Sequence, residues 1–154
     1  MLSSLLPLAY RLRLRMLALL KWPTRGVKLI VSDADGRVLL VRHRYGRSDL
    51  YMLPGGGIGR GEAPTMAAAR ELREETGCTV HALTLIARHE SRTEGRPDTV
   101  FLFAARTDDT PVPDRRELAE AIFVDPGALP AATSPATRRR IAEWQGRRPR
   151  DNAW

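Results

Sequence analysis

The sequence predicts one mixed α/β domain built around a central helix. Two short aliphatic segments, at residues 27–32 and 38–42, are typical of β-strands. An alanine-rich segment at residues 64–76 favours a helix, and a further strand pattern follows it at residues 99–106. Strands on both sides of a helix indicate α/β packing, and 154 residues with 43% hydrophobic content are enough to form one core.

Residues 2–21 have the pattern of an amphipathic helix that precedes the domain. Apolar residues recur with three-and-four spacing, and arginines lie opposite them. We expect this helix, residues 1–22, to pack on the domain or against a second copy in a homodimer, with contact to an anionic membrane surface as the alternative. Because the arginines lie inside the apolar run, the segment does not resemble a secretory signal.

The domain proper is expected over residues 23–145. The strands at 27–32 and 38–42 flank Asp35-Gly36, which is a strong hairpin signal. A short strand at residues 51–53 then leads into Pro54 and a run of glycines.

After the central helix the sequence predicts further strands, one terminal helix and a tail. Leu83, Leu85 and Ala87 alternate with polar residues and are expected to point inward. The remaining expectations are strand at 79–91, a turn at 93–98, strand at 99–106, a polar loop at 107–116 that overhangs the site, strand at 121–124, a helix at 137–144, and a frayed basic tail at 146–154.

Composition restricts the partners and the compartment. The formal net charge of +7 indicates a polyanionic partner, which can be a nucleotide, a phosphate ester, a nucleic acid or an anionic lipid. One cysteine, Cys78, excludes an internal disulfide and is typical of a reducing compartment such as the cytoplasm. No apolar stretch is long enough to span a membrane.

The predicted central helix carries three acids on one side. Glu71 and Glu75 are four residues apart, and Glu74 is three from Glu71, so their carboxylates share a face. Like charges at this spacing destabilise an isolated helix, whereas a bound cation would reverse that effect. Carboxylate oxygens suit hard ions such as Mg²⁺ or Mn²⁺. A solvated acidic face is the alternative interpretation of these residues taken alone.

The surrounding residues resemble the Nudix box, G-x5-E-x7-R-E-U-x-E-E-x-G-U, in which U is a bulky aliphatic residue. Gly56 is followed after five residues by Glu62, and seven residues later comes the run Arg70-Glu71-Leu72-Arg73-Glu74-Glu75-Thr76-Gly77-Cys78. Every fixed position matches, and Cys78 at the last aliphatic position is a small residue that packs as a hydrophobe. The hairpin and the Leu-Pro-Gly-Gly turn before the box extend the similarity.

This resemblance implies an α/β/α sandwich around a mixed sheet, and hydrolysis of a nucleoside diphosphate joined to another group with a divalent metal. We expect Glu71 and Glu75 to bind the metal, and Glu74 to be a third ligand or the base that takes the proton of water. A carbonyl of Gly55 or Gly56 is a further expected ligand, because glycine lets the backbone approach closely.

The box also implies a structural pair and leaves the other residues of the site to weaker signals. By resemblance Glu62 pairs with Arg70 to fix the loop, although Arg70 could also pair with Glu74. An acid outside the box is needed to face the helix. An acid before an aromatic strand resembles a segment of many Nudix proteins and predicts Glu117 for this role, with Glu120 in reserve.

Substrate contacts are expected near the end of the second strand. Arginines there can grip a phosphate, and an aromatic ring can stack a base. The candidates are Arg42, Arg44, Arg47 and Tyr51.

Two other functions use the same residues differently. Hydrolysis of an RNA 5′ end is the enzymatic alternative, and the basic charge is compatible with it. A non-catalytic nucleotide sensor would be expected to have a degraded box or an added domain, and this sequence shows neither. The sequence features that mark the ADP-ribose, diadenosine polyphosphate and coenzyme A subgroups of the family are also missing, so the sequence does not select a substrate.

Overall fold

The computed structural model describes residues 24–93, 96–152 and 154. The amphipathic helix predicted over residues 2–21 lies outside them. The strands are β1 (Thr24–Ser32), β2 (Val38–His43), β3 (Tyr51–Met52), β4 (His81–Thr93), β5 (Arg96–Arg106) and β6 (Leu118–Val124), and the helices are α1 (Pro64–Thr76) and α2 (Pro135–Trp144).

The antiparallel strands β1 and β2 form the first hairpin and diverge beyond its turn. They are in register only at Ser32 and Val38, next to the turn. Beyond that point β2 pairs with β6 and β3, whereas β1 pairs in parallel with β5. Residues 51–58 connect the two halves of the sheet, because they run first along β2 and then along β1. This segment carries the glycine run.

The sheet is mixed and has a helix on each face. Its strand order is β3-β2-β1-β5-β4, with β6 paired to β2. One core cluster joins α1 to alternate residues of β1, among them Leu29, and contains Leu72 and Cys78. The other includes Ile30 of β1 and Ile141 of α2. These two clusters on opposite faces of β1 make the predicted α/β/α sandwich, which is confirmed.

The bounds of α1 follow from its sequence. Pro64 occupies the first turn, where its missing N–H is not needed. Gly77 ends the helix at a φ of 72° and donates its N–H to Arg73 O. The last carbonyls, at Glu75 and Thr76, accept from backbone N–H groups of residues 114 and 112. The loop between β5 and β6 therefore packs against the end of α1.

The long hairpin of β4 and β5 differs from the prediction in two ways. Register shifts in β4 break the alternation, so Leu85 is 50% exposed rather than pointing inward. The turn expected at 93–98 lies where it was predicted but is shorter, because Ser91 pairs with Asp98 and the antiparallel ladder continues to residues 93 and 96. Periodicity alone cannot locate a bulge, since the extra residue changes the phase of every position after it.

The tail after α2 packs against the domain instead of fraying. Arg140 of α2 is fully buried, and its Nη2 donates to Asp151 Oδ1 at 3.1 Å. The Trp154 ring lies 5.4 Å from the His89 ring between their centroids, and Arg150 donates to Ile86 O. The buried guanidinium explains this difference, because a charge in the interior requires anionic partners.

No helix within residues 24–93, 96–152 and 154 is long and apolar enough to cross a membrane.

We expect Asp151→Asn to lower the free energy of unfolding by about 1–2 kcal/mol, because it removes the charge from a partner of a buried arginine. Urea denaturation would measure the change. Arg148→Met is the matched control, since Arg148 contacts Asp151 at 3.5 Å from an exposed position and should change stability by less than about 0.5 kcal/mol. Equal effects of the two variants would contradict the assignment of the tail as a partner of Arg140.

Candidate active site

The glycine turn before α1 passes very close to β1. Gly55 has a φ of 143°, and a Cβ there would lie 2.1 Å from Val27 O. Val27 N donates to Gly56 O at 2.9 Å, and Ile58 N donates to Arg25 O at the same distance. Only glycine permits this approach, so the turn has a single position against the strand.

The same turn contacts two of the predicted metal ligands. A Cβ at Gly56 would lie 2.4 Å from Glu71 Oε2, and Gly55 N donates to Glu75 Oε2 at 3.0 Å. Gly56 O already accepts from Val27, whereas no residue in the described part of the chain donates to Gly55 O. Of the two predicted backbone ligands, the Gly55 carbonyl is therefore the more available.

Arg70 joins the loop to the acidic face of α1. Its Nε and Nη2 donate to the two carboxylate oxygens of Glu62 at 2.8 and 2.9 Å. Its Nη1 donates to Glu71 Oε1 at 2.9 Å and to Glu74 Oε2 at 3.1 Å. The hydrogen bonds from Arg70, followed by one from Gly59 N–H, lower the pKa of Glu62 to about 2. Both pairings that the sequence left open for Arg70 occur together.

Burial sets the protonation of the two inner acids. It raises the pKa of Glu75 to about 7, and Lys28 and the Gly55 N–H oppose that shift. Burial likewise raises the pKa of Glu71, against the stabilising effect of Arg70. The charge of Glu71 also raises the pKa of Glu75, and the charge of Glu74 raises the pKa of Glu71. The two groups are therefore a closely spaced, desolvated pair, which a divalent cation would stabilise.

The other two predicted acids lie at the edge of this pair. Glu74 is exposed and contacts Arg70. Glu117 lies in the loop before β6, and its charge contributes to the raised pKa of both Glu71 and Glu75. The structure thus brings Glu117 into electrostatic range of the box, as the sequence predicted for a facing acid.

The sequence analysis missed two residues beside the site. Lys28 of β1 donates from Nζ to Leu53 O at 3.0 Å, and its pKa is lowered by burial, with Glu75 and Glu71 opposing the shift. Burial and the charge of Lys28 lower the pKa of His43 to about 4. The available signal was a lysine within the apolar run Val-Lys-Leu-Ile-Val, where a charged side chain needs a reason.

The donor set of the site fits a hard divalent ion, because it consists of carboxylate and carbonyl oxygens. Within residues 24–93, 96–152 and 154, no three acidic, histidine or cysteine side chains already form an arrangement that would hold an ion. Arg70 contributes to this, since it bonds both Glu71 and Glu74. The predicted ligands are adjacent, and Arg70 bonds two of them, Glu71 and Glu74.

Known proteins share both this sequence pattern and this fold. The sequence profile of the NUDIX domain matches residues 22–145. The chain belongs to the Nudix family. A candidate 8-oxo-dGTP diphosphatase of Bacillus subtilis (strain 168) is 30% identical over 122 residues, which cover 79% of this chain and 80% of that protein.

Two further comparisons agree. An RNA pyrophosphohydrolase of Novosphingobium aromaticivorans is 31% identical over 141 residues, with 76% of this chain and 85% of that protein covered. The crystal structure of a MutT NUDIX hydrolase from Burkholderia pseudomallei has a TM-score of 0.68 and 23% identity, and covers 77% of this chain and 95% of that chain. At that identity the structural match supports the fold alone.

This chain is therefore a Nudix pyrophosphohydrolase, which hydrolyses the diphosphate bond of a nucleoside diphosphate joined to another group and depends on a divalent metal. The prediction of an enzyme is confirmed. The alternative of a non-catalytic sensor is not supported.

In this Nudix enzyme, two predicted substrate residues bond to the reserve acid. Arg42 Nη2 donates to Glu120 Oε1 at 2.7 Å, and the Tyr51 hydroxyl donates to Glu120 Oε2. These hydrogen bonds, first from Tyr51 and then from Arg42, lower the pKa of Glu120. Glu120 is not among the groups that shift Glu71 or Glu75. The structure therefore groups Glu120 with Arg42 and Tyr51 rather than with the box.

The other two predicted arginines have different surroundings. Arg44 N donates to Glu117 O at 2.9 Å, which places Arg44 next to the facing acid. Arg47 is highly exposed and lies 3.6 Å from Asp49. A surface cavity of about 460 Å³ lies beside Arg44, and it is lined by Arg42, His43, Arg44, Tyr45, Ser48 and Ala119.

We expect Glu75 to make the metal-free enzyme less stable as the pH rises. Its folded pKa of about 7 lies above the ordinary 4.5, so the folded state retains a proton that the unfolded state releases. The resulting stabilisation is complete below about pH 4.5 and is lost as the pH rises through about 7. Glu75→Gln should remove this loss. Between about pH 4.5 and pH 8, its free energy of unfolding should therefore rise by about 3 kcal/mol relative to that of the parent.

Urea denaturation in EDTA at several pH values would measure this difference. Glu74→Gln is the control, because it removes an exposed carboxylate from the same helix, and its pH profile should run parallel to that of the parent. A divalent ion should reduce the loss in the parent, since the ionised Glu75 then has a cationic partner. Parallel profiles for the parent and Glu75→Gln would contradict the raised pKa.

Proposed function

We propose that Glu71, Glu75 and the Gly55 carbonyl hold the divalent ion of this enzyme, with Glu74 joining them when Arg70 releases it. The observation that carries this assignment is that both inner carboxylates lie against the glycine turn. Gly55 N donates to Glu75 Oε2 at 3.0 Å, and Glu71 occupies the space that a Cβ of residue 56 would fill. The oxygen donors favour Mg²⁺, and Mn²⁺ would fit the same set.

The residues around these ligands support hydrolysis of a diphosphate. A bound divalent ion neutralises phosphate oxygens and lowers the pKa of water. Arg70 fixes the loop through Glu62 and thereby aligns the glycine turn with α1. Glu117 takes the proton of the attacking water, with Glu74 as the other candidate base. Glu117 suits the role because it lies on a separate loop within electrostatic range of both inner acids.

The substrate is a nucleoside diphosphate derivative whose far end lies in the cavity beside Arg44. This cavity has two guanidinium groups and a partly exposed tyrosine, Tyr45, which suit a phosphate and a base respectively. Arg42 and Tyr51 would act there through Glu120, which holds both. Arg47 would make only an outer contact because of its exposure.

Hydrolysis of an RNA 5′ end is the second candidate, and two observations favour it. A relative is named RNA pyrophosphohydrolase, and the chain has a net charge of +7. An RNA substrate would extend from the cavity over the arginine-rich loop between β2 and β3. Phosphate contacts of this kind make binding weaken steeply as salt is raised.

We also propose that residues 23–145 form the catalytic unit, and that residues 1–22 contribute to a homodimer or, as the less favoured alternative, to a membrane contact. The single, buried Cys78 suits a reducing compartment such as the cytoplasm. Sedimentation of the full chain with and without residues 1–22 would test the dimer, and co-sedimentation with anionic vesicles would test the membrane.

A substrate panel tests the proposed function directly. Nucleoside diphosphate sugars, nucleoside triphosphates, dinucleoside polyphosphates and 5′-triphosphate RNA would each be incubated with Mg²⁺ or Mn²⁺, and the products separated by chromatography. We expect one class to be cleaved preferentially, and Glu75→Gln to lose turnover on the order of 10³-fold, because the amide keeps the shape but not the charge of a metal ligand. Turnover of Glu75→Gln within a few-fold of the parent at saturating metal would contradict the ligand assignment.

Glu117→Gln should reduce kcat on the order of 10²-fold or more, because the amide cannot accept the proton of the attacking water. Glu120→Gln is the matched control, because it removes a nearby acid that bonds Arg42 and Tyr51 instead. That variant should raise KM more than it lowers kcat. The opposite pattern, with kcat lost in Glu120→Gln and retained in Glu117→Gln, would exchange the two roles.

A further inference from the structure

Lys28 is an unusual residue in an unusual place. The chain has 25 lysine and arginine residues, and only Lys21 and Lys28 are lysine. Lys28 lies in β1 between Val27 and Leu29, which are both in the core. A charged side chain on such a strand loses hydration, and it is retained only where other groups stabilise it.

The contacts of Lys28 connect it to the turn that holds the carboxylates. Its Nζ donates to Leu53 O at 3.0 Å, and two residues further along that segment Gly55 N donates to Glu75 Oε2. Leu53 N in turn donates to the Thr137 hydroxyl of α2 at 3.3 Å. Lys28 and Glu75 are thus anchored to one short segment of fixed position, and they interact electrostatically with each other.

A second cation contacts the same acids from the helix side. Arg70 bonds Glu71 and Glu74 through Nη1, whereas the charge of Lys28 acts on Glu75 and, more weakly, on Glu71. The carboxylates of the site therefore have internal counter-ions on both sides. Glu71 and Glu74 share only Nη1 of Arg70, so either carboxylate can turn away from that nitrogen while Nε and Nη2 stay on Glu62. The Nζ of Lys28 has a different partner, because it is hydrogen-bonded to Leu53 O and not to the acids.

We propose that Lys28 is a built-in counter-ion of the metal site, which opposes the binding of a free divalent ion at Glu71 and Glu75. This inference rests on the proposed assignment of those two acids as ligands. An ion placed on them comes within electrostatic range of the Lys28 ammonium, which already interacts with both acids, and the repulsion weakens its binding. A diphosphate brings negative charge that offsets the ammonium, so Lys28 discriminates against a free ion more than against one that arrives with substrate. Lys28 is therefore a positioning residue: its charge acts on the metal through Glu71 and Glu75, and not by direct contact.

Mn²⁺ binding to the metal-free enzyme without substrate tests this proposal. The free Mn²⁺ would be counted by electron paramagnetic resonance during a titration at fixed pH 7, since the lowered pKa of Lys28 makes a neutral rather than an alkaline buffer the one that keeps its ammonium charged. We expect Lys28→Met to bind Mn²⁺ about tenfold more tightly than the parent, as removal of one like charge close to a partly buried ion predicts. Lys28→Arg keeps the charge and should stay within about twofold of the parent.

Matched variants separate this effect from its alternatives. Arg37→Met removes a positive charge that pairs with Asp33 and Asp35 in the first hairpin, and it should leave Mn²⁺ affinity unchanged if the effect is local. Lys28→Gln keeps a donor for Leu53 O without the charge, and it should reproduce the tighter binding of Lys28→Met. Circular dichroism of each metal-free variant would confirm that it is folded. If Lys28→Met is not folded, Lys28→Gln replaces it in the test.

The possible results distinguish the two proposals. Unchanged or weaker Mn²⁺ binding in Lys28→Gln overturns the role of Lys28, and weaker binding would identify Lys28 as a support for the turn. Glu75→Gln, titrated in the same way, should weaken Mn²⁺ binding strongly. If it does not, the ligand assignment fails as well. If Glu75→Gln weakens binding while Lys28→Gln matches the parent, only the inference about Lys28 is wrong.

Discussion

The close contact between the glycine turn and β1 determines the rest of the site. At Gly55 a side chain would collide with Val27 O, with 2.1 Å between that oxygen and the Cβ, so the turn cannot accept another residue at this position. The backbone hydrogen bonds between this turn and β1 fix the position of the turn relative to the strand. Because α1 begins a few residues later and packs against β1, Glu71 and Glu75 lie beside that turn, where Gly55 N donates to Glu75 and Arg70 donates to Glu71. The fold therefore positions the chemistry through backbone geometry.

A second constraint follows, because the acids that the turn brings together repel each other. The structure distributes this repulsion among partners of different strength. Glu62 accepts from two nitrogens of Arg70 and so anchors the guanidinium, which leaves Nη1 for Glu71 and Glu74. Glu75 is nearly buried and has a backbone N–H and the charge of Lys28 instead. Exposed and buried acids thus have different counter-charges, and the buried one has the strongest need for a cation.

The sequence was sufficient for the parts of the fold that depend on local pattern. Pro64 and Gly77 bound α1 as their backbone chemistry requires, and the spacing of Glu62 and Arg70 predicted a pair that the structure contains. The phase of β4 could not be predicted, because register shifts move Leu85 to the surface. The docking of the tail depends on the buried Arg140, and nothing in a run of basic residues announces an interior partner. Lys28 was visible as a lysine in an apolar strand, but the residues that it interacts with, from His43 to Glu75, are 15 to 47 positions away.

The same division explains why catalysis is easier to infer than specificity. The proposed metal ligands lie on one helix and one turn, within a stretch whose internal spacing fixes their geometry, and only the proposed base Glu117 comes from another loop. The cavity residues come from the end of β2, the following loop and β6, and their relations arise only after strand pairing brings Arg42 opposite Glu120. Once that pairing is made, Glu120 neutralises Arg42 and also binds Tyr51, whereas the backbone of Arg44 bonds that of Glu117 and its Nε donates to Leu118 O. A change in the loop can therefore alter what the cavity accepts while the turn, the helix and the reaction at the diphosphate stay the same.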